Sequence, residues 1–223
     1  MGSEDLFHRR KGKSTRSLSR RGAVKDTTPT YLIVCEGKKT EPEYFNDLRN
    51  YERLASITVK VCGECGSAPI SVVEHALQLY KDMIKDGETV EEIFCVFDKD
   101  NHESFFRACA LIEKSKKEKI PITAVFSIPC FEYWLLLHFQ YYRAPFQGKG
   151  NTSVAGSVCK QVQTHIKGYT KGVKGLYASL KTKQADAISH SQRAIEDMNA
   201  TGQDNPSTHV HMLVEQLLKF SEA

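Results

Sequence analysis

The feature that most constrains this chain is an alternation of short apolar runs with helix-patterned stretches across residues 30–127. Thr30-Tyr31-Leu32-Ile33-Val34-Cys35 is apolar almost throughout and stops at Glu36-Gly37. A continuous run of that length between turn signals predicts a strand buried on both faces. Similar runs at Ile57–Cys62, Ile93–Phe97 and Ile122–Ser127 predict three more strands.

The stretches between them carry helical signals. Thr40 and Glu43 have capping-box spacing, Pro42 suits a first turn, and this helix is expected to reach about Arg53. Pro69 opens a second helix with Val73, Leu77, Tyr80 and Ile84 as its apolar stripe. A third is predicted at 102–118, with Phe105, Cys109 and Ile112 inward and a lysine-rich end. The resulting βαβαβαβ order predicts an α/β fold, a small and mostly parallel sheet flanked by helices.

Beyond Pro129 the pattern changes. Phe131–Tyr142 is strongly apolar and predicts a helix, within which His138 and Trp134 read as core residues. Residues 143–156, rich in Gly, Ser and Asn, read as a loop. Helices are then expected near 157–167, 173–200 (broken) and 207–220. Asn205-Pro206-Ser207 is the start signal of the last, and Val210, Leu213, Val214 and Leu217 its core face. The predicted organisation is a basic leader over 1–28, an α/β domain over 29–142 and a helical region over 143–223 packed on it.

Charge separates the leader from the rest. Residues 1–25 carry a net +6 and the whole chain +4, so the remainder carries −2. Such a leader suits phosphate binding, and equally a solvated tail. No apolar stretch approaches ~18 residues, so no membrane span is expected. The basic start lacks an apolar core, so no signal peptide is expected. Seven cysteines, an odd number partly inside apolar runs, fit reduced thiols and a cytoplasmic location. Cys62-Gly63-Glu64-Cys65 has no second pair at zinc-ribbon distance, so structural zinc is not expected.

The candidate chemistry lies where strands end. In a parallel sheet the carboxyl ends of the strands share one edge, and ligands bind in the crevice there. Glu36 follows one strand, and Asp98 and Asp100 follow another. Grouped carboxylates repel unless a cation neutralises them, and oxygen donors suit Mg²⁺ or Mn²⁺. The same acids also fit a helix cap at Asp100 and a solvated position at Asp98. Lys38 and Lys39, beside a helix start, would steady a phosphate or serve as ordinary surface lysines. His102 is a further candidate contact to substrate.

Leu32-Ile33-Val34-Cys35-Glu36-Gly37 followed by Phe94-Cys95-Val96-Phe97-Asp98-Lys99-Asp100 resembles the Toprim pattern, a strand ending in Glu-Gly and a later one ending in Asp-x-Asp. More narrowly, Val34 to Pro42, Phe97 to His102, Ile128 to Phe139 and Asn205 to Thr208 resemble the RloB family of bacterial anti-phage proteins. The resemblance implies a Toprim-like domain and a divalent-metal-dependent nuclease acting on RNA, tRNA included, or on DNA. It also implies an ABC-type ATPase partner. By matching position, Glu36 would be general acid/base or metal ligand, and Asp98 and Asp100 would hold the metal. Glu132, after the fourth strand, would complete the catalytic set. The rival reading is a non-catalytic adaptor subunit docked on such an ATPase, and either leaves room for a homo-oligomer.

Overall fold

The computed structural model describes residues 28–63, 66, 68–99 and 104–221. Residues 1–27 of the leader, Cys65, Asp100 and His102 lie outside the described residues.

Four parallel strands form where the apolar runs predict them: β1 (Thr30–Cys35), β2 (Thr58–Cys62), β3 (Val90–Asp98) and β4 (Ile122–Ile128). They alternate with α1 (Thr40–Tyr51), α2 (Pro69–Lys85) and α3 (Ser104–Lys117). A two-residue strand, β5 (Ser207–Thr208), pairs antiparallel with β4, and the strand order is β2-β1-β3-β4-β5. The expected α/β class with a mostly parallel sheet is therefore observed.

Side-chain alternation along the strands feeds two cores. Leu32 and Val34 of β1 with Ile93, Cys95 and Phe97 of β3 face α2 and α3. Tyr31 and Ile33 of β1 with Phe94 and Val96 of β3 face the opposite way. There they pack with α1 and with α4 (Glu132–Leu137), whose six residues are all buried, Trp134 among them. The same core continues into α5 (Val154–His165), α6 (Leu176–Leu180), α7 (Gln184–Thr201) and α8 (Val210–Leu218). A parallel strand buried on both faces needs apolar cover on each, which the later helices supply.

Several expectations are corrected. The helix expected over 131–142 ends at Leu137, because His190 Nδ1 donates to the Leu137 carbonyl at 2.8 Å and takes an acceptor that a further turn would use. His138 is the buried core residue expected, its Nδ1 donating to the Trp134 carbonyl at 3.0 Å. Asn205-Pro206-Ser207 does not start a helix. Ser207 and Thr208 extend the sheet instead, the hydroxyls of Thr208 and Ser127 meet at 2.8 Å, and α8 begins at Val210. Its expected core face, Val210, Leu213, Val214 and Leu217, is buried.

The helix expected from 157 starts at Val154, because the Ser153 side chain caps it by accepting from the Gly156 N–H. The broken segment is α6, a 3₁₀ turn at Lys181–Lys183, and α7. Thr40 makes no capping-box bond at the start of α1. The buried face of α2 is Val72, Val73, Ala76 and Met83, with Ile84 exposed, since contact with both β3 and α3 rotates the stripe. On α3 the expected Phe105 and Ile112 are buried together with Ala108, and Cys109 packs half-buried against the same core. Among the described residues no helix is long and apolar enough to cross a membrane.

Candidate functional site at the carboxyl edge of the sheet

The chain leaves β1 to build β2 on one side, then crosses over to place β3 on the other. The carboxyl ends of β1 and β3 therefore flank the point where strand order reverses, and the departing loops diverge to leave a crevice. Glu36 directly follows β1, and its N–H donates to the Val96 carbonyl at 2.9 Å, so the ladder persists to the rim. Its carboxylate Oε2 accepts the backbone N–H of Asp98 at 3.0 Å. Asp98 is the last residue of β3, and the N–H of Lys99 donates to the Ser127 carbonyl at 2.8 Å, which holds the strand end against β4. Glu36 and Asp98 are both half-buried.

Beside them lies a cleft of about 360 Å³, whose wall includes the predicted Lys38 and Lys39, both exposed. Two further wall residues, Glu41 and Lys171, were not singled out by sequence reasoning. Glu41 sits in the first turn of α1 and is buried. It folds back over the Glu36-Gly37 turn so closely that a Cβ at Gly37 would stand 2.5 Å from Glu41 Oε2. The signal available was an acid five positions after Glu36, next to Pro42. Lys171 had no local signal, since it comes from the link between α5 and α6. Gly172, with a φ of +83°, presses that link on α1's start, where a Cβ would meet Lys39 Cβ at 2.8 Å.

Glu132 opens α4 and is 1% exposed. Its Oε1 accepts from the Tyr169 hydroxyl at 3.2 Å and stands 3.1 Å from Lys171 Nζ, while Oε2 is buried without a hydrogen-bond partner. Burial opposes the charge on Lys171, but Glu132 outweighs it and holds the ammonium above its usual range.

The electrostatics of the rim are those of crowded acids. Burial first, then the charges of Glu41, Glu132 and Glu36, push the Asp98 carboxyl well above the usual carboxylate range, with Lys171 pulling the other way. Glu41 is raised for similar reasons, by burial and then Glu132. As placed, no three His, Cys, Asp or Glu side chains among the described residues form a metal-ready group. The donor chemistry nevertheless fits a hard divalent ion, which requires only one or two carboxylates plus water and phosphate oxygens. A cation would also relieve the repulsion that raises Asp98.

A family model for RloB-like protein matches residues 31–217. The chain belongs to the RloB-like family. The matched span runs from β1 into α8, so the edge acids and Lys171 of this RloB-like chain all fall inside it. No curated protein and no solved structure matches the chain.

Proposed function

We propose that this RloB-like chain is a Toprim-like, divalent-metal-dependent nuclease that hydrolyses phosphodiesters of RNA or DNA. In this reading it acts in the bacterial cytoplasm as an effector of anti-phage defence beside an ABC-type ATPase. The observation that carries the reading is the 3.0 Å bond from the Asp98 N–H to Glu36 Oε2, which brings two strand-end acids to one rim. Asp98 and Glu41, whose carboxyls burial and neighbouring acids raise, line one cleft, and perturbed carboxyls in a cleft favour a functional site.

Glu36, Asp98 and Asp100 are the residues that would hold Mg²⁺ or Mn²⁺. Such an ion supplies neutralisation of phosphoryl oxygens and a water activated at neutral pH. The chain's own part is positioning. Lys38 and Lys39 attract the polyanion to the exposed side of the cleft. Lys171, held by Glu132, adds a third lysine to the wall of the cleft. Glu132 thereby supports the site through Lys171, in place of the direct catalytic role the resemblance implies. The Glu36 carboxylate, whose Oε2 accepts the Asp98 N–H, would accept or return a proton at the attacked or leaving oxygen.

The test uses purified full-length protein with RNA and DNA substrates under Mg²⁺ and Mn²⁺. Cleavage is expected, reduced by at least about 100-fold in Glu36→Ala and in Asp98→Ala. Intact substrate in both metals, with and without the ATPase, would overturn the reading in favour of an adaptor subunit.

A further inference from the structure

We infer that the substrate is unpaired nucleic acid, with one base lodged in a second cavity beside the catalytic cleft; the assignment to this substrate rests on the nuclease reading above. That cavity, about 660 Å³, opens at the same carboxyl edge of the sheet, between the ends of β3 and β4 and the start of α5. Asp98 lines the first cavity and Lys99, the next residue, lines the second, so both lie at the end of β3.

The second cavity has the character of a base pocket. Ile128, Pro129, Val154 and Ala155 give it apolar walls, and Asp204 and Asn205 lie at its polar side. Its size is within the range of small-ligand sites. Lys99 Nζ stands 2.5 Å from Asp204 Oδ2, an ion pair between two residues of the cavity wall. The same ammonium lies 5.6 Å from the ring centroid of Phe106, which is 70% exposed on the first turn of α3. Phe106 buries little of itself in the core that takes its neighbour Phe105. A solvent-facing ring next to a lysine that itself lines an apolar-walled cavity offers a base a surface to stack on. A base inside a duplex is stacked and paired and cannot enter such a pocket without being extruded, whereas single strands and loops splay their bases freely.

The experiment measures binding of the full chain to a fluorescent single-stranded oligonucleotide and to its duplex in chelator, where no cleavage occurs. The strand carries 2-aminopurine, whose emission reports unstacking from its neighbours. The single strand is expected to bind at least about tenfold more tightly than the duplex, with a change in 2-aminopurine emission. Phe106→Ala, an exposed position, is expected to weaken the single strand about tenfold and leave the duplex unchanged. Ala155→Trp, which fills the cavity, is expected to abolish the emission change. Equal affinity for strand and duplex, or a Phe106→Ala protein that binds as the parent does, overturns the inference. Single-strand preference without cleavage on adding Mn²⁺ would leave the inference standing and remove the nuclease reading. Duplex cleavage without preference would do the reverse.

Discussion

Lys171 Nζ stands 3.1 Å from Glu132 Oε1, so a lysine from the link after α5 closes over a carboxylate that is almost wholly buried. Lys171 is itself about half exposed, which weakens the pair by solvent screening, while Glu132 has no route to water. Lys171→Met should therefore destabilise the fold by about 1–2 kcal/mol, through the unpaired carboxylate it leaves. Urea unfolding measures this. Glu132→Gln in the same chain should recover part of the loss, and simple additivity of the two changes would deny the coupling.

Asp98 makes stability depend on pH in a particular direction. Its carboxyl is held well above its ordinary value of 3.8, by burial first and then by Glu41, Glu132 and Glu36. A carboxyl that keeps its proton more tightly when folded contributes stability that is complete below 3.8 and is lost as pH rises through the raised value. In chelator, Asp98→Asn should remove that loss, so its unfolding free energy falls less than the parent's between mildly acidic and alkaline pH. Parallel curves for the two proteins would contradict the raised carboxyl.

Two histidines work in the opposite sense. Burial pushes His138 down to about 4, against the upward pull of its bond to the Trp134 carbonyl. Burial and then His209 bring His211 down to about 4 as well. Each is stabilising in its neutral form above 6.5, and that contribution is lost as pH falls toward 4. Between pH 7 and 5 the cost should be about 1–2 kcal/mol per histidine. Urea midpoints at the two pH values for His138→Met and the parent protein check it, the variant showing the shallower drop.

Gly37, after β1, and Gly63, after β2, should tolerate substitution very unequally. A Cβ at Gly37 meets the Glu41 carboxylate, the far end of a side chain that can swing away. A Cβ at Gly63 meets Pro42 Cγ at 2.5 Å and the Gly37 carbonyl oxygen at 2.6 Å, neither of which can move without shifting α1. Gly63→Ala should cost about 2–4 kcal/mol, and Gly37→Ala about 1 kcal/mol with a larger fall in activity than in stability. Thermal unfolding beside a cleavage assay separates the two effects.

What the sequence determined by itself was the sheet and the acids at its edge. Runs such as Leu32–Cys35 and Ile93–Phe97 are apolar on both faces, a composition that suits a parallel strand covered on each side. Once the strands are parallel, the residues that follow them share one rim, so Glu36 and Asp98 could be paired on paper. Tertiary structure alone decided what surrounds them. Glu41 turns inward because Gly37 leaves room for it, a contact between side chain and missing side chain that no periodicity records. Lys171 and Tyr169 reach Glu132 from 37 or more positions away through the packing of α5 on α4, and their own sequence neighbourhood carries no pattern that points there. The same applies to β5, where Ser207 and Thr208 have a helix-start signal before them but find an open sheet edge first. Local chemistry specifies what a segment can become, and the unfilled hydrogen bonds and apolar faces of distant segments choose among the options.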